Sequence, residues 1–501
     1  MPSAFRVDNH SKQLNRLGKR NRSRSQVTNV SQLRDVQPGD WAYEALRSLV
    51  ERYGCIAGYP DGSFRGNRAL TRFEFAAGLN ACLQQIERLI SSNGSIGRED
   101  LEKLQRLSQD FEAELGTIGT RVDNLEGRVA SLEDSQFSTT VSFGGEAIFA
   151  LAGAGGGEPP GQGETNVVFN HLTRLGIASS FTGKDRLRLT LASGNFDDFG
   201  FANVNSLNTY AALLSYQDGL DNDVIIDTLE YRFAANNRLV FTFKPVGFSL
   251  SSVLSANSPY FDVGRGAISR FGQASPLFSI GALSAGAGFD WLITNKLRLQ
   301  AAYGTRDSSD PSQGINGADH SALGVQLLAN PFKNVVTGVT YVNAYAEDGR
   351  LDTFTGSFNA DSSGLIFEPT QTHAIGGTLQ WRLAPNLTLG TWGGWTFSNS
   401  VTSDSYANTN TYLVSLGISD IFGREGDLLA LLFGQPPKLE EGEGLLFGED
   451  NATSFHYEVF YRYKLNNHVW ITPGFFMVTN PGNRAQNDTI YVGTIRTTFR
   501  F

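Results

Sequence analysis

The sequence predicts a mainly β protein: a closed, transmembrane antiparallel β-barrel of about sixteen strands, preceded by a small α-helical module and a coiled-coil helix. Three observations carry this. Residues 137–501 alternate apolar and polar positions with period two. The connections between the alternating stretches are short and long in turn. Upstream, residues 101–132 keep a strict heptad spacing.

Composition bounds the classes that remain open. A chain of 501 residues exceeds one ordinary domain. Gly is abundant at 55 residues, Phe and Tyr number 35 and 16, and only 18% of residues are charged. No apolar run reaches the ~18–20 residues that a membrane-spanning helix needs. A membrane barrel fits all the same, because its lipid-facing residues come at every second position and average out against a polar lumen. The net charge of −9 argues against nucleic acid as a partner. Residues 1–30 carry Arg6, Lys12, Arg16, Lys19, Arg20, Arg22 and Arg24 with no apolar segment after them. They read as a basic disordered leader, or as a displaced signal with mature sequence from about Gln26.

Residues 31–93 read as a helical module. Trp41-Ala42-Tyr43-Glu44-Ala45-Leu46 opens an amphipathic helix, and Gly58-Tyr59-Pro60-Asp61-Gly62-Ser63-Phe64 supplies a tight turn. Thr71 stands three residues before Glu74, the spacing of a capping box, and starts a second helix through Leu79, Leu83 and Ile86. Together with Asp40-Trp41-Ala42 and Leu70-Thr71-Arg72-Phe73-Glu74-Phe75-Ala76, these stretches resemble the S-layer homology domain. The resemblance implies binding to anionic polysaccharide attached to peptidoglycan, with Trp41 and Arg72 as candidate contacts. A core role for Trp41 is the plainer reading, whereas the Arg72 guanidinium suits a carboxylate bidentately. Cys55 and Cys82 match no zinc spacing. They can form a disulfide in an oxidising compartment or remain buried thiols.

Residues 98–135 form a coiled-coil stalk. Leu101, Leu104, Ser108, Phe111, Leu115, Ile118, Val122, Leu125, Val129 and Leu132 recur at alternating steps of three and four. So narrow an apolar seam needs a partner helix, so self-association is expected. Gly116, Gly119 and Gly127 weaken the helix.

The barrel strands are expected to start near 138, 167, 185, 224, 237, 281, 296, 320, 334, 372, 386, 409, 426, 454, 468 and 489. In the last of them Tyr491, Gly493, Ile495, Thr497, Phe499 and Phe501 share one face, and Val492, Thr494, Arg496, Thr498 and Arg500 the other. Short turns such as Thr182-Gly183-Lys184 and Thr294-Asn295 alternate with long connections over 151–166, 194–223, 244–280, 305–319, 346–371, 396–408, 435–453 and 479–488. Short periplasmic turns and long external loops are the habit of an outer-membrane barrel, and a soluble sandwich has no reason to alternate so regularly. The run Gly153-Ala154-Gly155-Gly156-Gly157 lacks the Lys-Ser/Thr of a phosphate loop and reads as loop.

The long region resembles the carbohydrate-selective (OprB-like) porins. With the two preceding modules in that order, the chain is similar to cyanobacterial outer-membrane porins. The resemblance implies a homotrimer in outer-membrane lipid, with the N-terminal module in the periplasm. It also implies passive diffusion of small hydrophilic solutes: sugars, inorganic ions or iron. The alternative is a structural tether between outer membrane and cell wall. No cofactor, metal site or catalytic residue is expected. Six histidines are scattered at 10, 171, 320, 373, 456 and 468, and neither metal spacing nor a Ser-His-Asp cue accompanies them.

Two sets of pore residues follow. The connection 244–280 joins the fifth and sixth strands and is long enough to fold inward. It offers Lys244, Arg265 and Arg270 against Asp262, a constriction that leans cationic. On the strand face opposite Leu, Phe and Tyr lie Arg186, Arg188, Arg232, Arg298, Arg382, Arg462, Arg496 and Arg500, with Glu230 and Glu458. A ring of like charge biases selectivity, here toward anions. Loop carboxylates or the acidic coiled coil neutralising the arginines is the competing reading. For the N-terminal module, Arg72→Ala is expected to weaken retention of the folded protein on isolated peptidoglycan. Unchanged retention returns Arg72 to a structural role.

Overall fold

The computed structural model describes residues 141–501 except 197–198, 362–365 and 446–449, together with Arg47 and Glu51. The S-layer-like module, the stalk and their residues Trp41, Cys55, Arg72 and Cys82 lie outside the described residues.

Sixteen strands follow one another round a closed barrel, each antiparallel to its neighbours in sequence. They are β1 (Val141–Gly156), β2 (Val168–Ser179), β3 (Asp185–Gly194), β4 (Ile225–Asn236), β5 (Leu239–Val246), β6 (Ala285–Thr294), β7 (Leu297–Thr305) and β8 (His320–Phe332). The second half comprises β9 (Val335–Ala346), β10 (Thr370–Ala384), β11 (Leu387–Ser400), β12 (Tyr406–Ser419), β13 (Leu428–Glu443), β14 (Phe455–Lys464), β15 (Val469–Thr479) and β16 (Ile490–Arg500). β16 closes on β1 with Arg500 opposite Glu146. Phe501 and Gly145 then exchange two backbone hydrogen bonds of 2.8 and 3.1 Å. The Phe501 ring covers the Cα of Gly145, where any side chain would collide with it. Closure removes every sheet edge, so all strand N–H and C=O groups can be paired inside lipid.

The period-two pattern sorts the two faces. In β16, Val492, Thr494, Arg496 and Thr498 are buried inside, whereas Tyr491, Ile495 and Phe499 are exposed on the outer face. Outward aromatics gather toward both ends of the strands. Trp291, Trp381 and Phe499 lie by the short turns, and Tyr303, Phe397, Tyr457 and Tyr491 by the long loops. Such girdles place amphipathic rings at the two membrane surfaces.

Every expected strand is present, and the differences lie at the outer ends. β1 runs on to Gly156, so Gly153 to Gly156 are strand rather than loop. β11 and β12 pair out to Asn399 and Tyr406, which shortens the expected 396–408 loop to 401–405. β5 runs to Val246, which puts Lys244 on the barrel wall and not in the following loop.

That loop, 247–284, turns into the barrel and lies against the inner wall. Its apolar side chains sit where wall glycines leave room. Phe248 packs on Gly286 and Gly304, Leu254 on Gly324, Leu277 on Gly376 and Gly394, and Ile268 on Gly474. A Cβ on Gly304 would stand 2.5 Å from the Phe248 ring. Two core clusters result, one around Phe248, Leu254 and Leu277, the other around Ile268, Phe271 and Phe460. Gly304→Leu is therefore expected to lower the heat-modifiability midpoint on gels, by overpacking worth roughly 1–3 kcal/mol. Gly155→Leu, on open space, leaves it unchanged; equal midpoints for the two variants contradict the seating.

Candidate functional site

The inner wall divides into an arc carrying the inward loop and an arc of charged side chains that the loop covers less. The loop crosses β7 and β8, where Ser255 N is within 2.9 Å of both Gln300 Oε1 and Gln326 Oε1. It passes β10, where Asn257 donates to Thr378 Oγ1 at 3.1 Å. It then reaches β16, where Thr498 donates to the Gly264 carbonyl at 2.5 Å. On the way back a one-turn helix, α1 (Arg270–Gln273), is capped by Ser269 and buries Phe271 against Trp392.

Arg496 holds the far end of the loop. It is fully buried, and its Nη1 and Nη2 donate to the carbonyls of Val263 and Gly266 at 2.6 Å and of Ala267 at 3.2 Å. Its guanidinium lies over the Tyr216 ring at 5.7 Å. Glu458, equally buried, accepts from Ile268 N at 2.7 Å and from Ser269 Oγ, beside His456. These two residues, expected to line the pore, are loop fasteners instead. The period-two pattern assigns a face, and a loop lying on that face hides what it covers. Arg462 belongs with them, donating to the Arg265 carbonyl at 3.1 Å. Asp262 and Arg265 pair with each other at 3.1 Å, and Arg500 bridges Asp262 and Glu146 at 2.6 Å each. Two of the four expected constriction residues are thus engaged with one another and with the wall.

The other arc comprises β2 to β5 with the turn-side ends of β6 and β7. Register places Arg174, Arg186, Arg188, Glu230, Arg232, Lys244, Asp290 and Arg298 on its inner face. Arg186 pairs with Glu230 at 2.8 Å, and Arg298 with Asp290. Arg174 stands 3.8 Å from Asp227 and from Asp218, and Lys244 donates to Ser252 at 3.2 Å. Arg188, Arg232 and, further round on β10, Arg382 have no side-chain hydrogen bond or ion pair among the described residues. Cations outnumber carboxylates on this arc. Asp218 lies within electrostatic reach of Arg174 on the wall and of Arg270 on α1. The Arg270 guanidinium has no hydrogen-bond partner among the described residues and stands 5.3 Å over the Phe354 ring.

Two further loops come inward unforeseen. The 195–224 loop pairs Leu214 with Ser269, and Tyr216 shares a 2.8 Å hydrogen bond with Thr494. The apolar run Tyr210 to Leu214, too greasy for an outer loop, is the signal that could have disclosed it. The 347–369 loop folds over the 247–284 loop, Gly281 donating to the Leu351 carbonyl at 2.7 Å. At its centre Asp361 accepts from Thr353 N and Oγ1 at 2.8 and 2.6 Å. Burial outweighs these donors and pushes its carboxyl up to about 7.

A closed sixteen-stranded barrel with an apolar belt, a charged interior and an inward third loop is a transmembrane porin barrel. The carbohydrate-selective porin, OprB family, matches residues 98–501, and the chain belongs to that family. The S-layer homology domain matches residues 32–76. The chain is 37% identical to Uncharacterized protein alr4550 of Nostoc sp., over 96% of this chain and 86% of that one. It is also 37% identical to Uncharacterized protein sll0772 of Synechocystis sp., over 95% and 91%. Among solved structures, Pseudomonas putida OprB at high pH shares the fold at 12% identity and a TM-score of 0.52, over 75% of this chain and 97% of that one. The protein is an outer-membrane protein.

Arg496→Met leaves buried carbonyls without donors, a loss of roughly 3 kcal/mol. The 247–284 loop is expected to loosen and single-channel conductance to rise; wild-type conductance contradicts the fastening role. Asp361 gives a pH dependence. Its folded pKa exceeds the unfolded value of 3.8, so its contribution is whole below about 4 and is lost as pH rises through about 7. Protease sensitivity of the 347–369 loop should therefore rise between pH 5 and 8.5, and Asp361→Asn should abolish that rise.

Proposed function

We propose that the barrel passes small hydrophilic solutes down their gradient, neutral sugars and small anions before cations, while the S-layer homology domain holds it to peptidoglycan-linked polysaccharide. The carrying observation is the basic arc of β2 to β5 with the turn-side ends of β6 and β7, which the inward loop covers less than the rest of the wall. In this reading the aqueous path runs between that arc and α1, past Lys244, Arg174 and Arg188 on the wall and Arg270 on the loop. Fixed cations in a narrow, low-dielectric passage raise local anion concentration and repel cations. Neutral sugars pass by size and hydrogen bonding. Inorganic ions and iron complexes are admitted by this reading only as far as their charge suits a cationic passage. A homotrimer is the assembly this reading adopts, with the stalk contributing to it.

The tether alternative predicts a barrel that holds the wall and conducts nothing. Planar-bilayer recording of the purified full chain separates the two. Reversal potentials in a salt gradient are expected to show mild anion preference, strongest well below 0.1 M salt, where screening reaches beyond ~10 Å. Arg188→Glu with Arg382→Glu, two arginines without ion pairs among the described residues, the first exposed and the second half-buried, should shift the reversal potential toward cation preference. Native cation preference, or no shift in the variant, defeats the selectivity assignment, and absence of conductance defeats the porin reading.

A further inference from the structure

The two ends of the barrel differ in sign. The long loops expose carboxylates, among them Glu158, Glu164, Asp221, Asp223, Asp307 and Asp310. The short turns expose bases. Lys184 lies in the turn between β2 and β3, Arg238 between β4 and β5, Lys296 between β6 and β7, and Lys333 between β8 and β9, and all four are exposed. None of these four consecutive short turns exposes a carboxylate. Asp185, which follows Lys184, is buried and accepts from Ser180, Thr182 and Tyr231. Lys184 and Lys296 have no side-chain hydrogen bond or ion pair among the described residues, and Arg238 reaches the Ile293 carbonyl only at 3.5 Å.

Position sets these charges at a membrane surface. The short turns of an outer-membrane barrel face the periplasm. Neighbouring turns stand two strands apart, roughly 10 Å, so the four bases form an arc along the rim. Exposed rings border that arc. Trp291 stands opposite Leu239, the neighbour of Arg238, and opposite Leu299, three residues from Lys296. Phe332, next to Lys333, is 68% exposed, and Phe181 shares the turn of Lys184. Such rings mark the depth at which hydrocarbon gives way to headgroups. Lys296 lies beyond Leu299 by about 10 Å of strand, which is headgroup depth.

A soluble polyanion would meet the bases and have no use for the rings. A phospholipid uses both, its phosphate against the cations and its acyl chains against Trp291 and Phe332. Lysine suits such a partner, being a compact charge on a flexible stem that takes phosphate without a fixed geometry.

We propose that the turn-side rim from β2 to β9 is a binding surface for anionic phospholipid of the periplasmic leaflet, with phosphate groups held between neighbouring bases. Lipid binding at this rim is independent of what the pore passes.

The test uses the full-length protein in vesicles, with brominated phosphatidylglycerol and brominated phosphatidylcholine of the same acyl chains as quenchers of tryptophan fluorescence. Trp291 and Trp381, exposed on the outer face at this end, report the contact. Wild type should bind phosphatidylglycerol about fivefold more strongly at low salt, the attraction of one base for an anionic surface. That preference should fade above about 0.1 M salt, where screening shortens the range. Lys184→Gln, Arg238→Gln, Lys296→Gln and Lys333→Gln combined should abolish it, whereas Lys438→Gln, at the loop-side end of β13, should keep it. If the fourfold variant does not migrate as a folded barrel, Arg238→Gln with Lys296→Gln, flanking Trp291, carries the same test and should at least halve the preference. Equal quenching by the two lipids in wild type overturns the surface, and so does an undiminished preference in the fourfold variant. Equal quenching together with weaker retention of that variant on isolated peptidoglycan overturns it in favour of wall polysaccharide.

Discussion

The structure depends on one constraint: a sixteen-stranded barrel is wider than its own side chains can fill, so something else must occupy the lumen. Here the chain occupies it with its own 247–284 loop, and Arg496 is the post to which that loop is tied. A guanidinium without water is costly to bury unless its donors are met. Three loop carbonyls meet those of Nη1 and Nη2, and the Tyr216 ring lies alongside. The same contacts that make the arginine tolerable inside the barrel hold the loop where it is. Glycines on the wall do the complementary work. By lacking side chains at Gly286, Gly304, Gly376 and Gly394, the wall lets Phe248 and Leu277 approach its backbone.

The asymmetry of the lumen follows from that seating. Charges under the loop are neutralised by hydrogen bonds and ion pairs, as at Arg500 with Asp262 and Glu146. Charges on β2 to β5 and the turn-side ends of β6 and β7 are covered less, Arg188 being exposed, and are compensated only in part. Under the proposed reading, electrostatic selectivity would belong to one side of the barrel, although cationic residues occur on inner faces all round it. A ring of arginines read from the strands overstates the number that a passing ion would meet.

The outer mouth is built by the same logic of loops packing on loops. The 195–224 and 347–369 loops are buried against the inward loop and against each other, which explains a neutral-leaning Asp361 at the centre of an external segment. Burial at the mouth makes it a shaped vestibule and not a fringe of solvated chain. The S-layer homology domain, matched over residues 32–76, precedes the barrel in the chain.

What the sequence by itself determined is what local chemistry decides. Strand number, strand faces and the short-long alternation of connections depend on neighbours one or two residues away and on turn residues, and all sixteen strands were legible within a few residues. The inward direction of the 247–284 loop was legible from its length and position. Tertiary structure decided which inward residues remain open. Arg496 and Arg188 occupy equivalent positions in the period-two pattern, yet one is sealed under a loop more than 200 residues away in sequence and the other is exposed. Lys244 changed from loop to wall because β5 found pairing partners on β6 beyond the expected end. The inward turn of the 195–224 loop arises from contacts between distant loops. No local period records such contacts, because they are selected by which surfaces meet once the barrel has closed.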